Sequence, residues 1–510
     1  AFISATSAAT VTAATVTAAS VGLRAADHSA IMAIAGSASL AAGIGLVGVS
    51  IAVSATIARN TISSDVSAQL QNTAVTATQP DDPNDPDDVT GITITADNSA
   101  TITAIAAAAS LAVGGGLVGA GVSGAGADVA NVILTATVAS ASGGSLSSKS
   151  AVTISATDDA TITATVGAVS AALGAGFVGA GLAMGASRAR NLIGWALDAT
   201  TATPAQITAS ATGTAIEADG ALTITADATQ TITATVVAGS VAISAGVVAI
   251  GLAGAGASTL NRVASQVHAY IDGDGATGIK AASVSVEASD HSHITSFTGS
   301  AALAAALGGV SGTVAIAVGL AKNEIANEVY AWITNADGAA TDTTDWGVDA
   351  TTGGITIKAT DAPIIDSTAY AASAAASLSF FGSLTIAGAG AEALNVILTK
   401  TRAYATASDL RSAGDITIEA SDTSTISAVV KTVAAGFSVG YYAGAVSIGT
   451  GTAHNYVGRD DQAAEVLAYL SSSSARANAG QIWLTAAESA AITADVQADG
   501  NSLSVGLIAV

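Results

Sequence analysis

The stretch Thr313-Val-Ala-Ile-Ala-Val-Gly-Leu-Ala321 decides the fold class, because its large apolar residues recur at every second position. Val, Ile, Val and Leu alternate there with Ala or Gly, which is the period of a β-strand. The Thr/Ile alternation of Gln230-Thr-Ile-Thr-Ala234 has the same period. Gly inside such stretches also disfavours a helix, by about 1 kcal/mol each relative to Ala. We therefore predict an all-β protein.

The chain repeats this pattern from one end to the other. A strand-like phrase that ends in an acidic residue is followed by a charge-poor Ala/Gly stretch and then by an Asn. The separation from Asp to Asn is 33 or 34 residues in every full copy, whereas the connection from Asn to the next acidic residue varies from 27 to 38. The markers are Asp27, Asn60, Asp97, Asn131, Asp158, Asn191, Asp227, Asn261, Asp290, Asn323, Asp361, Asn395, Asp422 and Asn455.

These markers divide the chain into copies of 60 to 71 residues that alternate in pairs of about 131, because the odd copies carry the longer connection. We predict that odd and even copies occupy two inequivalent positions, with the long loops on one side. We also expect a longer repetitive protein of which this chain is a window. The predicted units are the end of a preceding repeat at 1–22, repeats at 23–91, 92–150, 151–220, 221–282, 283–354, 355–414 and 415–480, and a truncated repeat at 481–510.

A glycine lies in or near the midpoint of every Asp/Asn pair, which predicts a turn there. Each copy is then a long β-hairpin or β-arch, and the chain is a repetitive β-solenoid or a stack of such units. Asp and Asn of one copy lie opposite each other in this arrangement, and stacked copies turn the pair into a structural ladder. In the alternative reading, both residues cap or kink the strands near the surface.

Composition excludes several functions. The chain has 38 acidic and 15 basic residues, a net charge of -23, so a nucleic acid is not an expected partner. With no Cys, thiol catalysis, Cys-ligated zinc and disulfides are excluded. No nucleophile elbow or paired-carboxylate motif stands out, so we predict no catalytic site, no bound organic cofactor and no enzyme activity.

Both faces of the predicted strands are apolar, one with Val, Ile and Leu and the other with Ala, Gly and Ser. Such sheets must be covered on both sides, by the same chain, by other copies or by lipid. Charge-free stretches such as 29–58 are long enough for a spanning helix, but their period of two and the lack of flanking Lys/Arg disfavour one. We therefore rank self-association into a homopolymer or lateral assembly above a membrane partner.

Aromatic residues gather after the Asn markers. We predict that they form a belt that shields the edge of the core, with a membrane interface or an assembly contact as alternatives. The residues are Trp195, Tyr270, Trp332, Tyr404 and Tyr469.

Two acidic connections suit Ca²⁺, which prefers hard oxygen ligands. The first is Gln79-Pro-Asp-Asp-Pro-Asn-Asp-Pro-Asp-Asp88, and the second is the Asp-Gly-Asp-Gly turn at 272–275. The alternative is a pair of solvated acidic loops that keep an apolar protein dispersed. The candidate calcium ligands are Asp81, Asp82, Asp85, Asp87, Asp88, Asp272 and Asp274.

The phrase Ile416-Thr-Ile-Glu-Ala-Ser-Asp-Thr-Ser424, which recurs along the whole chain, resembles the repetitive Ala/Gly/Thr-rich regions of giant secreted bacterial surface proteins of the adhesin and filamentous-haemagglutinin kind. The resemblance implies an extracellular or cell-surface location and a β-rich stalk. We therefore expect a structural repeat protein that builds an extracellular fibre, sheath or surface stalk. The alternatives are the stalk of a cell-surface adhesin and a membrane- or lipid-associated β protein.

Overall fold

The computed structural model describes residues 1–80, 91–338 and 347–509, and the regular structure in these ranges consists of β-strands without a helix. The prediction of an all-β protein is confirmed. The strands fall into three groups, which recur in the same order along the chain.

Eight short strands form one parallel sheet in which they follow each other in chain order. Their large residues, such as Ile92 and Ile94, are buried on one face, while the Thr residues between them point outward. The strands are β3 (Ser20–Asp27), β5 (Gly91–Asn98), β7 (Val152–Asp158), β11 (Leu222–Ala228), β14 (Val284–Asp290), β17 (Ile355–Asp361), β20 (Ile416–Asp422) and β25 (Ile482–Glu488).

A two-residue turn leads from each short strand into a long one. The long strands also pair in parallel with the equivalent strand of the preceding and following copies. They are β4 (Ala30–Ala77), β6 (Thr101–Ser148), β8 (Thr161–Ile193), β12 (Thr231–Asp272), β15 (His293–Thr334) and β18 (Ile364–Thr406). In the last two copies the long strand is divided into β21 (Thr425–Val439) with β22 (Tyr442–Val457), and β26 (Ala491–Val505) with β27 (Ile508–Ala509).

Each long strand folds back on itself at a tip, so that it has an outbound limb and a return limb. In β6 the buried residues are even-numbered up to Gly114 and odd-numbered from Gly119 to Val129. The limbs contact each other through side chains, as in the 2.6 Å hydrogen bond between the hydroxyls of Ser110 and Ser123. They approach so closely at the tip that a Cβ on Gly114 would lie 2.1 Å from the carbonyl oxygen of Ala120. Because the backbone hydrogen bonds join neighbouring copies, each copy is a β-arch and not a hairpin.

The remaining strands are β1 (Phe2–Thr12), β2 (Thr15–Ala18), β9 (Ala205–Thr212), β10 (Ala215–Ala218), β13 (Ile279–Ala281), β16 (Val348–Ala350), β19 (Asp409–Ser412), β23 (Glu465–Ser471) and β24 (Ser474–Ala477). Of these, β1, β9 and β23 belong to the return limb of their copy and pair with the neighbouring return limbs, and the others are small strands that follow the return limb. A residue with positive φ makes the corner that precedes the last small strand of a copy. Gly or Asn, which tolerate this conformation, occupies most of these corners, as at Gly213 and Asn335.

The copies stack as layers 1 to 8, numbered by their short strands β3, β5, β7, β11, β14, β17, β20 and β25. Every inner layer pairs with the preceding and the following layer in the same way. The prediction that odd and even copies occupy inequivalent positions is therefore wrong. The longer connections also do not all begin at one point of the layer, since those after β8 and β22 interrupt the return limb two residues after the Asn marker, whereas those after β4 and β15 begin later.

Two regions with separate cores result from this stacking. The first, which we call the fin, contains the outbound limb, the tip and the return limb as far as the Asn marker, for example 101–131 in layer 2. The second, the body, contains the short strand, the rest of the return limb and the small strand, and encloses Ile, Val and Leu side chains such as Ile94 and Leu146. The asparagine markers lie where these two regions meet.

Candidate functional site: stacked ladders and an apolar fin

The seven Asn markers form a continuous ladder along the stack. Each side-chain Nδ2 donates to Oδ1 of the Asn in the next layer, and every one of these distances is 2.8 Å. Asn131, Asn191 and Asn261 have no measurable solvent exposure. The parallel in-register pairing of the return limbs places identical amides one strand spacing apart, about 4.8 Å, which lets each amide both donate and accept. The ladder joins Asn60, Asn131, Asn191, Asn261, Asn323, Asn395 and Asn455.

The acidic markers do not form one uninterrupted ladder. At the last residue of the short strand, successive layers carry Asp27, Asn98, Asp158, Ala228, Asp290, Asp361, Asp422 and Glu488. The inclusion of Asp97 and Asp227 was wrong, because both lie one residue earlier and point to the other face of the sheet. Asp97 forms a 3.1 Å ion pair there with Arg24, and Asp227 accepts a hydrogen bond from Ser289.

The prediction that Asp and Asn of one copy lie opposite each other is also wrong. Asp27 accepts a hydrogen bond from Ser64 (2.6 Å), four residues after Asn60, and Asp290 accepts one from Asn327 (2.8 Å), four residues after Asn323. The physical reason is that the tip of layer 1 lies near Leu46, about three residues beyond the midpoint of its Asp/Asn pair, which shifts every cross-limb contact.

Sequence reasoning missed these partners of the acidic column. A signal for them existed, because the position four residues after the Asn is polar wherever the return limb continues into the body without a long loop. It is occupied by Ser64, Thr135, Ser265, Asn327 and Thr399, and all of these except Thr135 donate a hydrogen bond to the acidic column.

Burial controls the ionisation of the acidic column. Burial raises the pKa of Asp158 to about 6, although Thr137 donates a 3.4 Å hydrogen bond to its carboxyl. The pKa of Asp290 is also raised by burial. Asp361 lies in register between Asp290 and Asp422, and neither of its carboxyl oxygens has a hydrogen-bond partner. Burial and the two neighbouring carboxyls together hold the pKa of Asp361 well above its ordinary value.

The candidate calcium ligands are not brought together in the described ranges. Asp81, Asp82, Asp85, Asp87 and Asp88 lie outside the described residues. Asp272 accepts a 2.7 Å hydrogen bond from Asn335, and Asp274 accepts a 3.0 Å hydrogen bond from the backbone of Gly338. Among residues 1–80, 91–338 and 347–509, no group of three or more His, Asp or Glu side chains is arranged to hold a metal ion.

Four of the five predicted belt residues form an aromatic stack on the body. The ring centroids of Tyr270 and Trp332 are 4.3 Å apart, those of Trp332 and Tyr404 are 5.9 Å apart, and those of Tyr404 and Tyr469 are 4.8 Å apart. The rings are parallel to within 5°, as expected for equivalent positions in successive layers. Trp195 is not part of this stack and lies under the guanidinium of Arg262, 4.5 Å from its ring centre.

The fin reverses the usual distribution of small and large side chains. Its interior consists mainly of Ala with a few Ser and Thr, such as Ala106, Ala112 and Ala125. Its outer faces and tip carry large apolar residues, among them Met184 (60% exposed), Leu46 (82%) and Phe380 (84%). Monomeric soluble proteins rarely expose contiguous apolar patches above a few hundred Å², so this surface indicates an interaction site.

A cleft of about 930 Å³ lies at the base of the fin between two long connections. One of these follows β8 in layer 3, and the other follows β22 in layer 7. Both belong to odd copies. The lining includes Trp195, Arg262, Lys322, Tyr456 and Arg459.

The described residues contain no helix that is long and apolar enough to cross a membrane. Comparison with known proteins gives no match: no family model fits the chain, and no curated protein or solved structure is detectably similar to it.

Proposed function

We propose that this chain is a structural β-solenoid protein whose copies of 60 to 71 residues build an extracellular fibre, sheath or surface stalk. The observation that carries the proposal is the asparagine ladder, which runs without interruption from layer 1 to layer 7. In a repeat protein each layer is stabilised mainly by its neighbours, so such a ladder favours a rigid body that grows by adding layers.

The shape of a layer favours a fibre or sheath over a long stalk. Asn60 and Asn131 lie side by side although 71 residues separate them in the chain. Each layer therefore advances the stack by only about 4.8 Å and uses about half of its residues on the fin. A protein whose function required only a long stalk would use fewer residues in each layer. The wide apolar fin instead supports lateral contact as part of the function.

The extracellular location rests on the resemblance of the repeat phrase to secreted bacterial surface proteins and on the composition. A chain without Cys, with 38 acidic residues and with 10% charged residues, is suited to export and to an oxidising exterior. Fractionation of the producing cells with an antibody against the chain tests this part of the proposal. Recovery in the cytosolic fraction alone would reject it.

Electron cryomicroscopy of the chain in detergent-free buffer tests the structural role. We expect ordered filaments or sheets with a 4.8 Å repeat along the stacking axis. Particles that remain single at high protein concentration, with the fin exposed, would reject the proposal.

A second candidate, the stalk of an adhesin, is favoured by the cleft between the two odd-copy connections. Tyr456 and Arg459 lie on its wall together with Lys322, which gives an aromatic ring and charged donors in one concave site. A glycan array probed with the chain and with a Tyr456→Ala, Arg459→Ala variant tests this candidate. Binding that both proteins share equally, or no binding, would remove it.

A further inference from the structure

Two neighbouring rows on the outer face of the return limbs have a period of two layers. At one row of this face, successive layers alternate between a large side chain and Gly. The row reads Val53, Gly124, Met184, Gly254, Ile316, Gly388 and Ile448. The next row also has Gly in the even layers, but its odd layers carry smaller residues, and it reads Ala55, Gly126, Ala186, Gly256, Val318, Gly390 and Thr450. We call this surface, between the tip and the charged row of Asp128, the return face.

The chain itself does not require these glycines. A Cβ built on Gly126 or Gly256 meets no atom within 4 Å, and one built on Gly124 meets only Val53, at 4.0 Å. These residues are not among those with positive φ. In layers 2 and 4, neither backbone conformation nor internal packing therefore explains why these positions lack a side chain.

The alternation produces ridges and grooves of equal spacing. Ridges recur every second layer, about 9.6 Å apart, with a glycine groove between them. One such groove lies over Gly126, between Ala55 and Ala186 of the neighbouring layers, and Ile57 and Arg188 border it in the next row toward the body. A surface of this form is complementary to a copy of itself that is displaced by one layer, as in the interdigitated interfaces between identical sheets.

We propose that the return face is a lateral interface that binds the return face of a second copy of this chain, with the ridges of one copy seated in the glycine grooves of the other. This inference rests on the proposed structural function, for which it identifies the lateral partner. Lipid chains are a poorer occupant, because a fluid hydrocarbon does not require grooves at a fixed spacing.

The size and the border of the face fit such a partner. Ten residues of return limb in seven layers cover about 1,000 Å², so two copies would bury about 2,000 Å², the upper end of the range for stable interfaces. The border toward the body carries both signs of charge, at Arg59, Asp128, Arg188, Lys322 and Glu392. An apolar centre with a mixed polar rim is the usual anatomy of a protein interface.

Filling two grooves tests the proposal. The variant Gly126→Val, Gly256→Val adds side chains where the chain leaves open space, so the fold should be retained. The matched control is Gly36→Val, Gly167→Val, which adds the same volume to the outer face of the outbound limbs, where the nearest atom to either Cβ is Val237 Cγ2 at 3.7 Å. Circular dichroism melting checks that both variants fold.

Sedimentation velocity in detergent-free buffer gives the result. We expect wild type and control to associate equally, and the groove-filled variant to associate about tenfold more weakly or less. Equal association of all three proteins would overturn the proposal. It would also be overturned if wild type stays monomeric and floats with phosphatidylcholine vesicles as strongly as the groove-filled variant does.

The outcomes separate this inference from the proposed function. If wild type forms dimers that groove filling abolishes, but no fibre or sheet, the inference stands and the proposed function fails. If wild type forms fibres or sheets that groove filling leaves unchanged, the proposed function stands and the inference fails.

Discussion

Asn191 donates from its side-chain Nδ2 to Oδ1 of Asn261 across 2.8 Å, although 70 residues separate the two in the chain. Both side chains are fully buried, and each takes part in a second, identical bond to the next Asn along the stack. The amides therefore fix the register of the return limbs, because a shift by one residue would bury unpaired polar groups.

Asn261→Ala should destabilise the layers around it. The substitution leaves Nδ2 of Asn191 and Oδ1 of Asn323 without their partners, and each buried unpaired group costs about 1–3 kcal/mol. Hydrogen exchange of the return limbs, which measures local opening, is the suitable measurement in a layered protein. The control is Asn478→Ala, at an exposed position. It should change the free energy of opening obtained from hydrogen exchange by less than about 0.5 kcal/mol. Equal effects of the two substitutions would contradict a role for the ladder.

Stability should fall as the pH rises from about 4 to 6. The folded state binds a proton on Asp158, whose pKa is raised to about 6, whereas the unfolded chain releases that proton near pH 4. The contribution of Asp158 to the free energy of unfolding is therefore fully present below pH 4. It is lost as the pH rises through this window, and the loss is about 3 kcal/mol at most. Thermal melting at a series of pH values should show a shallower fall for Asp158→Asn than for wild type. Parallel curves for the two proteins would contradict the assignment.

Asp361→Asn should stabilise the protein at pH values above the ordinary pKa of an Asp carboxyl. Its carboxyl is buried between Asp290 and Asp422 without a hydrogen-bond donor, so ionising it in the folded state is costly. An amide of the same shape does not ionise, and it offers two N–H groups to the neighbouring carboxyls. The chain already has an amide, Asn98, at this place in layer 2. We expect a higher melting temperature at pH 8 for Asp361→Asn, and a smaller gain or a loss for Asp361→Ala. A lower melting temperature for the Asn variant would contradict the buried-carboxyl account.

Because the fin has small side chains inside and large ones outside, substitutions at its inner and outer faces should affect stability differently. Ala106 is 1% exposed between the two limbs, so Ala106→Leu should overpack the interior and cost about 1–3 kcal/mol. Met184 points outward, so Met184→Gln should leave folding within about 0.5 kcal/mol of wild type in the dispersed protein. Urea titration followed by tryptophan fluorescence and circular dichroism compares the two. A larger loss for Met184→Gln than for Ala106→Leu would mean that the fin interior is assigned to the wrong face.

Ala407→Gly should stabilise a corner of layer 6. Ala407 has a φ of 50°, a left-handed conformation that costs a residue with a side chain about 1–2 kcal/mol, and the equivalent corners at Gly213 and Gly273 are already Gly. Part of the gain is offset by the flexibility of Gly in the unfolded chain, so we expect about 0.5–1 kcal/mol. The control Ala405→Gly, inside a strand, should destabilise instead. A loss of stability in both variants would contradict the corner geometry.

The sequence was sufficient for the strands and for the asparagine positions, because period-two alternation in 313–321 and constant spacing before each Asn are properties of the chain alone. The acidic column was misassigned in two layers because an Asp one residue early looks equivalent by type. Aligned from Ile92 and Ile416, however, Asp422 corresponds to Asn98 and not to Asp97. The limb contacts could not be predicted, because they depend on the position of the tip, which lies near Leu46 in layer 1, between Gly43 and Val49, and not at the midpoint between the markers.

The central claim is that the layers are parallel, in register and stacked in chain order. Because the chain has no Cys, spin labels can be placed at chosen equivalent positions of the short strands. We would pair a label at Thr95 in turn with labels at Lys358, Glu419 and Thr485, which lie four, five and six layers away. Pulsed electron resonance should give distances that rise by about 4.8 Å per layer, from about 19 to about 29 Å. Distances that do not increase in this order, or that alternate between odd and even layers, would contradict the account.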